Sequence, residues 1–147
     1  LDNVRQIAIS VDQKSWLNRH QPFPKIVERL KLLDSEGVDF AVLTTKGKVF
    51  TAKILSFFHL SPKVIYGYES GSKIDVLIRL ASEYCLLGFI EDRLTTLQAV
   101  AACPELSSLP CYLANWGYLK PNESRDISHR IHLLSLENLA TPLASWH

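Results

Sequence analysis

The sequence predicts an α/β protein built on a parallel sheet with helices on both faces. Two observations lead there. Short apolar runs rich in β-branched residues alternate with helical segments of about ten residues, the pattern of repeated strand–helix–strand units. Two of those runs, 38–44 and 84–91, are apolar along most of their length, as strands buried on both faces are.

The elements follow in order. From Asp2 to about Arg19 the pattern reads as an irregular helix, with Val4, Ile7, Val11 and Trp16 roughly on one face. Gln21-Pro22-Phe23-Pro24 breaks it, and Pro24 suits the first turn of a second helix. Ile26, Leu30 and Leu33 repeat at helical spacing up to Gly37, which reads as a C-terminal cap. A strand over 38–44, a helix over 48–60 and a short strand over 64–66 come next. Ser72 is placed to cap a helix from Lys73 to about Ser82. A strand over 84–91, a helix over 93–102 and a strand over 110–114 follow. Residues 115–130 read mostly as loop, before a last strand over 131–134 and a terminal helix capped by Ser135.

Bulk composition narrows the function classes. A chain of 147 residues with 47% apolar and 21% charged residues buries one core and folds. Its net charge of +1 gives no basis for a nucleic-acid groove or an anionic membrane surface as partner. No apolar run reaches membrane-spanning length, and the first residues lack a secretory pattern, so the expected location is the cytoplasm or an organelle stroma. Cys85, Cys103 and Cys111 are odd in number and widely spaced, which suits reduced thiols rather than a disulfide framework or a metal knuckle. The five histidines show no ligand spacing and receive no chemistry.

In open parallel sheets, ligands bind beyond the carboxyl ends of the strands. The first long strand delivers Thr44-Thr45-Lys46 there, hydroxyls suited to a phosphate oxygen, although a Thr pair also fits ordinary β-propensity. Lys73 opens a helix, where the helix dipole disfavours a cation; a lysine reaching in to neutralise phosphate and a carboxylate explains that placement, and so does a solvated surface lysine. The second long strand ends on Glu91-Asp92-Arg93. Two adjacent acids at a sheet core are costly unless they bind a metal or face a crevice, and magnesium takes one or two carboxylates and leaves its other positions to water and phosphate. Asp92 also fits a plain helix N-cap, and Arg93 either a substrate contact or a salt bridge.

Thr44, Lys73 and the Glu91-Asp92 pair come in the order of the second, third and fourth motifs of the haloacid dehalogenase-like (HAD) hydrolase superfamily. The chain resembles a cyanobacterial and plant group of that superfamily along nearly its whole length. The resemblance rests on Phe23-Pro24 with Glu28-Arg29-Leu30, on Val42-Leu43-Thr44-Thr45-Lys46 with Phe50, and on Ile65-Tyr66-Gly67 with Ser70-Gly71-Ser72-Lys73. It rests more specifically on Glu91-Asp92-Arg93-Leu94 with Thr96-Leu97, and on Asn115-Trp116-Gly117-Tyr118. The resemblance implies a Rossmann-like, HAD-type core over 23–147, and over 1–22 a helical remnant of a cap or of the cap-to-core connection. It also implies a Mg2+-dependent phosphohydrolase working through an aspartyl-phosphate on a small phosphorylated substrate. Thr44 and Thr45 would bind phosphoryl oxygens, Lys73 would neutralise charge, and Asp92, helped by Glu91, would hold magnesium. Trp116 and Tyr118 fit either a substrate entrance or packing.

The superfamily's first motif, Asp-x-Asp after an apolar strand, is missing: no Asp-x-Asp occurs in the chain. Asp12 follows Ile7-Ala8-Ile9-Ser10-Val11, which could form a strand, but Lys14 stands where the acid–base Asp belongs and the segment resembles the helix before the second motif. No nucleophile is therefore assigned. The chain also begins Leu1-Asp2 and contains no Met. The expectation is a truncated chain, inactive alone, whose sheet lacks its central strand and exposes an edge open to a partner segment or a second copy. A non-catalytic phosphate- or protein-binding module is the alternative. A receiver-like or flavodoxin-like domain fits less well, because those place their acids or phosphate loop after the first strand.

Overall fold

A computed structural model describes residues 6–12, 17–18, 21–22, 24–44, 47–114, 130–139 and 141. Among the described residues seven strands pair in one sheet, every pair parallel: β4 (Asp39–Leu43), β5 (Val64–Tyr66), β6 (Cys85–Leu86), β7 (Phe89–Glu91), β8 (Cys111–Ala114) and β9 (Ile131–Leu134) join β1 (Gln6–Asp12) in the order β5-β4-β1-β7-β8-β9. β6 pairs the first residues of β1. A separate two-stranded ribbon joins β2 (Leu17–Asn18) to β3 (Gln21–Pro22).

The helix expected over 2–19 is corrected by this arrangement, since Gln6–Asp12 is a strand. Ile7, Ile9 and Val11 repeat with a period of two as well as near the helical period, and β-branched residues favour the extended form. A place between β4 and β7 supplies ladder partners on both sides, which a short helix could not use. The expected gap at the sheet centre is therefore filled, and the apolar edge it would have left is covered by β1.

The expected strand over 84–91 forms in two pieces. Gln6 lies opposite Cys85 and Ile7 opposite Leu86, while Ser10 lies opposite Phe89 and Val11 opposite Ile90. The offset is the same in both pieces, so β6 and β7 are one strand line interrupted at Leu87-Gly88. Glycine weakens a strand interior, which accounts for a break at that point.

Alternation along the strands builds two cores. On β4, Phe40 and Val42 face one side with Leu55 of α2 (Lys48–Phe57) and Leu30 of α1 (Pro24–Leu32). Ala41 and Leu43 face the other with Val76, Leu77 and Leu80 of α3 (Lys73–Glu83) and Leu94, Leu97 and Val100 of α4 (Leu94–Ala101). Tyr112, Ala114 and Leu134 extend the first core to Leu139 of the short α5 (Leu136–Leu139). Helices thus cover both faces, as the apolar strands required.

The end signals act as expected. Gly37 has φ +74° after the turn 33–36 that extends α1, a left-handed conformation that suits glycine. The Ser72 hydroxyl accepts from the Asp75 amide at 3.2 Å and caps α3, and the Ser135 hydroxyl accepts from the Asn138 amide at 3.1 Å and caps α5. No helix among the described residues is long and apolar enough to cross a membrane.

Candidate phosphate and metal site

Thr44 follows β4 directly and is buried; its amide donates to the Tyr66 carbonyl at 2.9 Å, which holds the end of β4 against β5. Two strands away, β7 ends on Glu91, wholly buried, followed by Asp92, which is only 2% exposed. Between them lies β1. Asp12 registers with Leu43, and the constant offset on the other side carries Asp12 next to Glu91. The backbone therefore brings Thr44, Asp12 and the Glu91-Asp92 pair to three adjacent strand ends.

Lys73 reaches this point from the first turn of α3. Its Nζ lies 2.7 Å from Glu91 Oε1 and forms a salt bridge in which the carboxylate is fully buried and the ammonium 17% exposed. The solvated-lysine reading of Lys73 is thus excluded. The other Glu91 oxygen, Oε2, accepts from the Asp92 amide at 3.0 Å and the Arg93 amide at 3.2 Å. Glu91 braces the turn from β7 into α4 and holds Lys73 at the strand ends. Its charge is stabilised there by an ammonium and two backbone dipoles rather than by water.

Asp92 stands in a different environment. Its Oδ1 is buried and has no hydrogen-bond partner among the described residues. A buried carboxylate oxygen without a donor costs free energy that a bound cation removes. The N-cap reading is not realised either: Arg93 holds the N-cap position of α4, and no side chain caps that helix. An orphaned hard oxygen, with a carboxylate next to it already satisfied, fits magnesium, which needs one or two protein carboxylates and completes its shell with water and phosphate. No group of three or more His, Cys, Asp or Glu side chains converges among the described residues, so a cage of protein ligands such as structural zinc uses is not formed there.

The same strand ends border a cavity of about 500 Å³ lined by Thr44, Ser72, Lys73, Arg93, Thr95 and Thr96 among others. The sequence singled out Thr44, Lys73, Glu91 and Asp92, and the fold brings all four together. It did not single out Ser72, Thr95 or Thr96 as cavity residues, because hydroxyls in the first turn of a helix read as caps. Thr45, Lys14, Trp116 and Tyr118 lie outside the described residues.

With this geometry in hand, comparisons with solved structures give one consistent answer. A protein from Bacteroides fragilis described as a haloacid dehalogenase-like hydrolase superposes with a TM-score of 0.63 at 18% identity, over 81% of this chain and 60% of that one. The chain has the fold of the HAD-like hydrolases. A protein from Lactobacillus delbrueckii subsp. bulgaricus described as a phosphoglycolate phosphatase gives 0.60 at 19% identity, over 81% of this chain and 52% of that one. The cobalt-bound deoxy-D-mannose-octulosonate 8-phosphate phosphatase of Haemophilus influenzae gives 0.51 at 14% identity, over 90% and 78%. The chain spans 60% and 52% of the length of the first two. No family model matches the sequence, and no curated protein does.

Proposed function

We propose that the strand ends of this HAD-like fold form a magnesium- and phosphate-binding site of the phosphohydrolase type, and that this chain binds both without efficient turnover. The observation that carries the proposal is the buried, unpartnered Asp92 Oδ1 beside the Lys73–Glu91 pair. Asp92 holds magnesium, with Glu91 acting mainly by fixing Lys73 and the turn. Thr44, with Thr45 next to it in sequence, donates to phosphoryl oxygens, and Lys73 offsets phosphate charge. Bound magnesium would supply the remaining positive charge that phosphoryl transfer requires.

The turnover half of the proposal rests on Lys14. An aspartyl-phosphate route needs an attacking carboxylate and a proton carrier. Asp12 ends β1 beside the other site residues in the backbone register, and Lys14 stands two positions on. A lysine can give a proton to a leaving group, but it is charged at neutral pH and cannot take one from the water that must release an acyl-phosphate. Binding without turnover follows, as in a phosphate-binding module derived from the enzyme fold.

Titration calorimetry tests the site. Wild-type protein takes up Mg2+, and Asp92→Asn weakens that affinity at least about tenfold with an unchanged circular dichroism spectrum. Unchanged affinity in Asp92→Asn removes Asp92 from the site. Steady hydrolysis of p-nitrophenyl phosphate by the wild type that Asp12→Asn abolishes would make Asp12 a nucleophile and overturn the binding-only half.

A further inference from the structure

Thr44 and Lys73 stand on two different loops. Thr44 ends β4, and only residues 45–47 separate it from the first residue of α2. Lys73 follows β5 through the turn Tyr68–Ser70, with Gly71 and Ser72 between. The distance between the two groups therefore depends on what joins the loops. The sheet joins them at the base, where the Thr44 amide donates to the Tyr66 carbonyl at 2.9 Å.

Beyond the sheet the turn itself makes the join. Gly47 holds the N-cap position of α2 and has no side chain to accept an orphan amide. Glu69 supplies that acceptor from the other loop: its Oε1 accepts the Lys48 amide at 3.2 Å. A carboxylate is also the charge that a helix start favours. Beside it the Tyr68 ring lies against Gly47, with Cε1 3.6 Å from where a Cβ would stand. The turn is closed on itself, since the Ser70 amide donates to the Gly67 carbonyl at 3.0 Å. Gly71, at φ +100°, then leads the chain into the Ser72 cap and Lys73. Glu69 itself is exposed and does not line the cavity.

We infer that Glu69 is a positioning residue for the phosphate site, whose bond to the Lys48 amide holds the Thr44 loop and the Lys73 loop at the spacing a phosphate needs. This rests on the phosphate site proposed above. Glu69 acts through Thr44 and Lys73 and touches neither phosphate nor metal. Its charge works in the opposite direction, because a carboxylate near a bound phosphate repels it. Geometry and charge can therefore be told apart.

Two neutral variants separate them. Glu69→Gln keeps an oxygen that can accept the Lys48 amide, and Glu69→Ala removes it; both lose the charge. Calorimetry with inorganic phosphate, at saturating Mg2+, should find Glu69→Gln at least as tight as the wild type. Glu69→Ala should bind at least about threefold more weakly than Glu69→Gln, within the range one net hydrogen bond allows. Equal affinities in the two variants overturn the inference, because charge alone then accounts for Glu69. Tighter binding in Glu69→Ala than in Glu69→Gln also overturns it, and makes the side chain an obstacle to phosphate. A wild type that binds no phosphate refutes the phosphate site itself, and the role of Glu69 with it.

Discussion

Replacing Lys73 by Ala tests whether the strand-end ion pair also supports the fold. Glu91 is wholly buried, and the substitution leaves its Oε1 without the ammonium 2.7 Å away. Breaking a buried pair from one side typically costs about 3–5 kcal/mol. Two features lower that figure here. The Asp92 and Arg93 amides remain on Oε2, and Lys73 is 17% exposed, so water can reach the vacated position. Removing a cation from the first turn of α3 returns a further ~0.3–1 kcal/mol. The net expectation is a loss of about 2 kcal/mol, read as a urea midpoint lowered by roughly 1 M at an ordinary slope for this size. Glu91→Gln should cost less, because Lys73 can then turn to solvent. The double variant should lose less than the two single losses together, since the second change removes the charge that the first one strands. A Lys73→Ala protein within about 0.5 kcal/mol of the wild type would refute the reasoning, and the pair would then be a surface contact of little weight.

Two further predictions concern the scaffold. Arg130 Nη1 donates to the Ala101 carbonyl at the end of α4 at 2.6 Å, and Nη2 donates to the Ser107 carbonyl at 2.6 Å, tying the start of β9 to α4; Arg130→Ala should cost about 1.5 kcal/mol and lower the Tm by roughly 3–6 °C in a calorimetric scan. Burial raises the Cys111 thiol to about 11 from its ordinary 9, so above pH 9 the unfolded chain gives up a proton that the native state keeps. Stability should fall as pH rises from 9 to 11, by roughly 2 kcal/mol from this group, and Cys111→Ala should flatten that part of a urea-midpoint-against-pH curve.

Most of the sheet was legible because its signals are local and redundant. Strands β4 and β8 carry apolar runs, Gly37 and Ser72 mark helix ends, and Leu30, Leu33, Val76 and Leu80 fall at helical spacing, so each element is specified several times over. The β1 segment was not legible in the same way. Ile7 and Val11 satisfy a helical period, Ile7, Ile9 and Val11 a strand period, and the choice between them is made by partners more than 25 residues away on β4 and β7. Residues at the site divide similarly. Asp92 and Lys73 stood out because each is misplaced by local rules, an acid at the end of an apolar strand and a cation at a helix start. That Glu91 braces Lys73 while Asp92 keeps a free oxygen depends on where side chains point, which no spacing encodes. Arg93 read equally as a substrate contact or a salt bridge; the fold places it exposed at the cavity rim, with no ion pair among the described residues.

The most direct test of the metal and phosphate site is a crystal structure grown with Mn2+ in place of Mg2+ and with inorganic phosphate. The account predicts an anomalous manganese peak bonded to Asp92 Oδ1, with phosphate held between Thr44 and Lys73. Manganese bound elsewhere, or Asp92 Oδ1 left without a metal at saturating Mn2+, would contradict it.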